Sequence, residues 1–189
     1  MTDFTAARLN MVESQVRPAD VTDLRIQDAM RALPREQFVP PDKSYLAYAD
    51  TAVDYAPGRA LLKPRDVAKL LQAVRPVEGE RALAIAAPYA GAVLREMGLD
   101  VTHFDEADLR APKPGNYDLI IAEGAVSKVP DAWLDALALE GRLVVVERNG
   151  PGGQACLYVK AADGIGRRTL FDATPPLLAG FEKQLGFAF

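Results

Sequence analysis

Two acids stand where open α/β sheets present groups to ligands, at the C-terminal ends of strands: Asp105 after Val101 to Phe104, and Glu123 after Tyr117 to Ala122. A carboxylate can accept from both hydroxyls of a diol, which gives Asp105 a possible use, although Glu106 and Asp108 beside it are equally consistent with turn chemistry. Glu123 faces the same crevice, either as a polar contact or, the reading favoured here, as a solvated loop acid. Lys63 and Arg65 flank a proline at the start of a helical pattern. Cations are mildly unfavourable there, so an anion partner would explain them, but a solvated face is the simpler reading. The single His103, in a short strand between Thr102 and Phe104, reads as a hydrogen-bonded structural residue, and the single Cys156 as a small core residue. One His and one Cys exclude an intramolecular disulfide, a Cys-rich zinc cluster and a His-based triad, so no metal is expected. Asn149-Gly150-Pro151-Gly152-Gly153 has the composition of a phosphate loop, but a strand follows it, so it reads as a connection.

The elements that must position these residues follow from periodicity. Leu9, Val12 and Val16 recur at helical spacing from Phe4 onward, and Ile26, Ala29, Met30 and Leu33 mark a second helix with Asp20, Thr22 and Asp23 at its start. Prolines 34, 40, 41 and 57 predict an ordered loop region over 34–60. Pro64 opens a third helix with the buried stripe Val67, Leu70, Leu71 and Val74. Strand, helix, strand and strand then follow at 81–85, 89–97, 101–104 and 117–122, which predicts a parallel α/β sheet. A helix carrying Trp133, Leu134 and Leu137, with Gly141 past its end, leads to a strand at 143–147. Strands at 155–160 and 167–171, joined by a turn at 163–166, predict a closing antiparallel pair, and Phe181, Phe187 and Phe189 are expected to close over the sheet or an interface. The 189 residues predict one structural domain, with a helical and loop region at 1–60 packed on a core at 61–189.

A net charge of -4 gives no general attraction to nucleic acid or anionic lipid. Met1-Thr2-Asp3-Phe4 has no basic segment leading into an apolar one, and the apolar stretch from Ala82 to Leu94 is too broken to span a bilayer. No membrane association and a cytoplasmic location are therefore expected.

Several whole strings carry more than periodicity. Asn10-Met11-Val12 to Gln15, Pro34-Arg35-Glu36-Gln37-Phe38-Val39-Pro40 and Ala47-Tyr48-Ala49-Asp50 resemble the N-terminal signature of the protein-L-isoaspartate O-methyltransferase family. The resemblance continues through 58–71, 117–125 and 141–144. It implies a Rossmann-like class I methyltransferase fold, S-adenosylmethionine as cofactor, and carboxyl methylation of isoaspartyl residues in damaged proteins or peptides, a protein-repair activity.

Three segments depart from the family pattern. In place of an acidic residue and a Gly-x-Gly-x-Gly run, the chain has Ala84-Ile85-Ala86-Ala87-Pro88-Tyr89. There Pro88 offers no amide proton, and Ala86 would be strained at positive φ. Leu62 stands at the family's active-site Ser/Thr position and has no hydroxyl. Only residues 106 to 116 separate Asp105 from Tyr117; extended, they reach ~36 Å, too little for the family's helix, strand and helix, and Pro112 and Pro114 oppose a helix there. The third strand is therefore predicted to be missing, leaving an open edge suited to a homodimer. The resemblance places the cofactor against Ala86, Pro88, Tyr89 and Asp105 (at the ribose), Glu123 being added by its place at the same crevice, and leaves no catalytic residue. The expectation is a pseudoenzyme with weak or lost methylation, a non-catalytic homodimeric binding or structural protein, or a crevice rebuilt for another ligand around Lys63, Arg65, Asp105 or Glu123.

Overall fold

In the computed structural model, which describes residues 3–182, the chain begins with helix α1 (Phe4–Met11). This runs into a π turn (Val12–Val16) and a 3-10 turn (Arg17–Ala19), and α2 (Leu24–Ala32) follows, capped by the Asp23 side chain on the Arg25 amide. The segment predicted as an ordered loop is more structured than that. It holds 3-10 helices at Arg35–Phe38 and Pro41–Leu46 and a small antiparallel hairpin, β1 (Val53–Ala56) with β2 (Arg59–Leu61). Short 3-10 turns carry no amphipathic period, so the prolines hid them.

Helix α3 (Pro64–Val74) starts at its proline as expected. Then come β3 (Arg81–Ile85), α4 (Pro88–Glu96), β4 (Asp100–Phe104), β5 (Tyr117–Val126), α5 (Asp131–Asp135), β6 (Leu137–Arg148), β7 (Gly153–Ala161) and β8 (Gly164–Asp172). The sheet order is β4-β3-β5-β6-β7-β8, parallel from β4 to β6 and antiparallel thereafter. No strand lies between β4 and β5 in the chain, and β4 forms one edge of the sheet.

Two boundaries differ from expectation. The helix near Pro130 stops at Asp135, and Leu137 and Gly141 lie inside β6. The irregularity falls at Glu140, with φ of 63°, and at Gly141, where a Cβ would stand 2.8 Å from the carbonyl oxygens of both Ala138 and Tyr117. The glycine thus serves a close backbone approach rather than a helix end. The β7–β8 turn consists of Ala162 and Asp163, so Gly164 to Gly166 belong to β8.

Alternation along the strands divides the core. Ala82 and Ala84 join Leu119, Ile121, Val144 and Val146 beneath α1 to α4, whereas Leu83 and Ile85 join Ile120, Trp133 and Leu143 on the other face. That second face is covered by α5 and the 105–116 segment, which is fastened where Trp133 Nε1 donates to the Leu109 carbonyl at 2.7 Å. Phe181 packs on Trp133 at 5.5 Å between ring centres; Phe187 and Phe189 lie outside the described residues. Small residues let α4 sit close to the sheet: a Cβ on Gly91 would stand 2.9 Å from Ala84 Cβ and 2.5 Å from His103 Cε1. Arg142 ties α3 to β6, donating to the Val74 carbonyl at 2.6 Å and pairing with Glu80 at 2.7 Å. Among the described residues no helix is long and apolar enough to cross a membrane.

Candidate functional site

The crevice lies at the C-terminal ends of β3, β4 and β5, where the β3–α4 loop must turn sharply. Ala86 makes that turn with φ of 45°, a conformation that strains a side chain bearing Cβ. Its amide points to the sheet and donates to the Phe104 carbonyl at 2.9 Å. Pro88 occupies the first turn of α4 and has no amide proton. The Ala90 amide, one of the free donors at this helix N-terminus, is taken by Glu123 Oε1 at 2.8 Å.

Glu123 is therefore not a solvated loop acid. Strand β5 continues through it to Val126, and the residue is fully buried. Burial pushes its carboxyl up to about 7, against the opposing pull of the Arg35 guanidinium and the Ala90 and Leu62 amides. Arg35, equally buried, reaches in from the N-terminal segment; its Nε donates to the Ala47 carbonyl at 2.7 Å, one Nη donates to the Leu62 carbonyl, and its guanidinium carbon lies 4.5 Å from the centre of the Tyr89 ring. Burial lowers the Arg35 guanidinium from its ordinary value and raises the Tyr89 phenol to about 12. Each of the three side chains keeps one buried polar atom without a partner: Arg35 Nη1, Tyr89 OH and Glu123 Oε2. Phe38 closes the cluster, edge-on to Tyr89 at 5.4 Å.

Asp105 follows β4, and both of its oxygens are engaged. Oδ1 accepts from Arg59 Nε at 2.6 Å, Oδ2 accepts from the Tyr55 hydroxyl at 2.8 Å, and Arg59 also donates to the Glu106 carbonyl at 2.8 Å. Burial, then the Asp105 bond, raises the Tyr55 phenol well above its usual value. Hairpin β1–β2 thus clamps the end of β4.

Of the remaining candidates, Leu62 joins this cluster only through its backbone, its side chain being fully buried, and the others do not converge on it. Lys63 precedes α3 as its cap residue, and Arg65 faces Asp66 at 3.3 Å and Asp50 at 3.8 Å, so a carboxylate environment replaces the anion partner considered for it. His103 is exposed on the edge strand against Gly91 rather than set in a structural hydrogen-bonded position. Cys156 is buried in β7 and accepts from Arg167 at 3.0 Å. Asn149 to Gly152 link β6 to β7.

Arg35 carries no functional mark in the sequence, and of the two readings of Glu123 the crevice location holds while the solvated acid does not. One signal was available: Glu123 interrupts Leu119-Ile120-Ile121-Ala122 and Gly124-Ala125-Val126, and an acid inside a continuous apolar run marks a strand buried on both faces. A buried acid needs a partner, and nothing local identifies it.

The signature strings interlock around this cluster. Gln15 donates to the Tyr48 carbonyl at 2.8 Å, the Arg35 amide donates to the Tyr48 hydroxyl at 3.2 Å, and that hydroxyl donates to Glu36. Residues 8–103, which contain these strings and the β3–α4 loop, match the family model described as protein-L-isoaspartate(D-aspartate) O-methyltransferase. A protein-L-isoaspartate O-methyltransferase of Methylorubrum extorquens is 32% identical, with 82% of this chain and 79% of the relative aligned, and one of Xanthomonas euvesicatoria is 30% identical over 88% and 87%. Among solved structures, a Plasmodium falciparum protein described as a putative enzyme of this kind, in complex with S-adenosyl-L-homocysteine, superposes with a TM-score of 0.75 at 18% identity, covering 90% of this chain and 97% of that one. The last comparison establishes a shared class I methyltransferase fold, and the first two establish descent: the chain belongs to the protein-L-isoaspartate O-methyltransferase family.

Proposed function

We propose that this chain keeps the family scaffold but has weak or no S-adenosylmethionine-dependent methylation of isoaspartyl carboxyls. The observation that carries this reading is that the crevice is bonded to itself. The helix N-terminus that could meet a ligand holds Glu123, both oxygens of Asp105 are taken by Arg59 and Tyr55, and the Ala86 amide is taken by Phe104. Leu62 also brings no hydroxyl to the Ser/Thr position. These residues fit the cofactor poorly, because the Ala90 and Ala86 amides would first have to be freed internally and Asp105 is left only the lone pairs that Arg59 and Tyr55 do not use. Methyl transfer depends on holding donor and acceptor in register, so a loosened pocket costs rate as well as affinity.

The test is a titration of the full chain with S-adenosylhomocysteine by calorimetry, paired with a melting scan. A ligand present at ~100 times its Kd would add about 2.7 kcal/mol, a rise of roughly 5 to 10 °C at this size. The proposal expects no heat and no shift at millimolar ligand. Saturable binding would overturn it and send the protein to a methyl-transfer assay on isoaspartyl peptides.

One further observation favours a non-catalytic role in self-association. In the parallel β3–β4 ladder the Asp100 amide donates to Glu80 and the Phe104 carbonyl accepts from Ala86, so the backbone groups of Val101 and His103 face outward. Arg95 reaches the Val101 carbonyl at 3.3 Å. This open edge supports antiparallel pairing with a second copy, and His103→Pro, which removes an outward amide, is expected to convert a dimer to a monomer by light scattering. A wild-type chain that is already monomeric at high concentration ends that reading.

A further inference from the structure

Glu123 meets the chain as a guest meets a receptor. Its Oε1 accepts from the Ala90 amide at 2.8 Å at the N-terminus of the nine-residue helix α4, where the helix favours negative charge. Around it stand two fully buried donors whose capacity is unspent, Arg35 Nη1 and Tyr89 OH, and its own second oxygen, Oε2, is unspent as well. One guanidinium Nη, a phenol and a helix amide form a donor set suited to one planar carboxylate. We propose that Arg35, Tyr89 and the N-terminus of α4 form a carboxylate-binding site inside the crevice, with Glu123 as its built-in occupant, so that a small external carboxylate takes the site when Glu123 is removed. The inference rests on the reading that the crevice is filled from within, but it concerns a site and a ligand class which that reading does not require.

The geometry also sets what the guest must be. Truncating Glu123 to Ala deletes one methylene and the carboxylate, the outline of an acetate ion. The donors left behind are buried, so a guest that cannot satisfy them, or that carries no charge beside Arg35, gains little. Acetamide has the shape without the charge, and chloride has the charge without two oxygens.

The experiment compares the wild-type chain with Glu123→Ala at pH 8, at constant ionic strength, in acetate, acetamide and chloride. The variant is expected to melt lower than wild type, and acetate is expected to raise its Tm by about 5 °C once well above its Kd, rising with the logarithm of concentration, with no such rise in acetamide or chloride or for wild type. Adding Tyr89→Phe, which deletes only the phenol oxygen, should weaken the acetate response about tenfold. Should Glu123→Ala fold poorly, the yield of refolded protein in each solute is the readout, again with acetate alone effective. A folded variant indifferent to acetate up to 100 mM, or one that responds equally to acetamide or chloride, overturns the proposal. S-adenosylhomocysteine binding by wild type is read separately: it would sink the functional reading above while leaving the acetate result to stand or fall by itself.

Discussion

The N-terminal signature and the β3–α4 loop belong to one site, yet they have met different fates. In the first, polar side chains reach backbone groups of distant segments: Arg35 to the Ala47 and Leu62 carbonyls, Gln15 to the Tyr48 carbonyl. Those bonds hold the fold whatever occupies the crevice. In the second, Ala86 takes φ of 45° and Pro88 offers no amide proton, and the donors that remain face inward to Phe104 and Glu123. The contrast separates two burdens that a family motif carries together. Residues that fasten the scaffold persist for stability alone, whereas residues that leave backbone groups free have a use only while a ligand is there to take them.

The largest effect that would break this contrast is expected at Arg35. Replacing a buried, bonded arginine by methionine removes the donors to two carbonyls and leaves Glu123 beside an apolar chain. Each buried carbonyl left without its charged donor costs about 1–3 kcal/mol, so Arg35→Met should lose about 3 kcal/mol or more and show a much lower urea midpoint. A loss below about 1 kcal/mol would mean that the signature strings are not what fastens the N-terminal segment.

Next in size is the part of the pH dependence that Glu123 contributes. Glu123 titrates near 7 in the folded chain against 4.5 for its ordinary value, so the folded state binds this proton more tightly than the unfolded state does. Its contribution is present in full below pH 4.5, falls as pH rises through 7, and is constant above; the span amounts to about 3 kcal/mol. The groups around it are Arg35 and Tyr89, with Tyr55 acting from the hairpin. Unfolding free energy measured from pH 5 to pH 8 should therefore decline more steeply in wild type than in Glu123→Gln. Parallel curves would assign the titration elsewhere.

A smaller cost is expected at Gly91. A methyl group there would meet Ala84 Cβ at 2.9 Å and the exposed His103 ring at 2.5 Å. The imidazole can swing away but the alanine on β3 cannot, so Gly91→Ala should cost about 1–2 kcal/mol. His103→Ala in the same chain should return part of that loss. No return would place the whole clash on the sheet side.

How far the sequence reveals this molecule depends on the range of the interaction involved. Helix α3, with Pro64 at its start and an unbroken apolar stripe, is plain from local pattern, as are β3, β4 and the antiparallel β7–β8 pair. The missing strand is legible from chain length, because residues 106–116 are too few to build it. The middle of the chain fails where a long-range contact outweighs the local signal. Leu137 has a helical neighbourhood but pairs with Tyr117, and Gly141 looks like a helix stop but accommodates two carbonyl oxygens. Glu123 and Arg35 fail for the same reason at greater distance. Each looks ordinary among its neighbours, and only the fold brings the acid, the arginine and Tyr89 into one buried cluster. Asp105 was found as a residue, but Arg59 and Tyr55, its partners from the hairpin, carry no sequence mark of that role.

The smallest effect runs in the opposite direction and tests the crevice most directly. Ala86 holds φ of 45°, a conformation that favours glycine. Ala86→Gly relieves that strain at the cost of a more flexible unfolded chain, and the balance should favour the variant by about 0.5–1 kcal/mol, a rise of a few degrees in Tm. Strain alone does not explain the filled crevice, because Glu123 still occupies the Ala90 amide and Arg59 still occupies Asp105. The variant should therefore be more stable than wild type yet gain no affinity for S-adenosylhomocysteine by calorimetry. If affinity appeared with this single change, the loop backbone rather than the internal bonds would be what separates this chain from its methylating relatives.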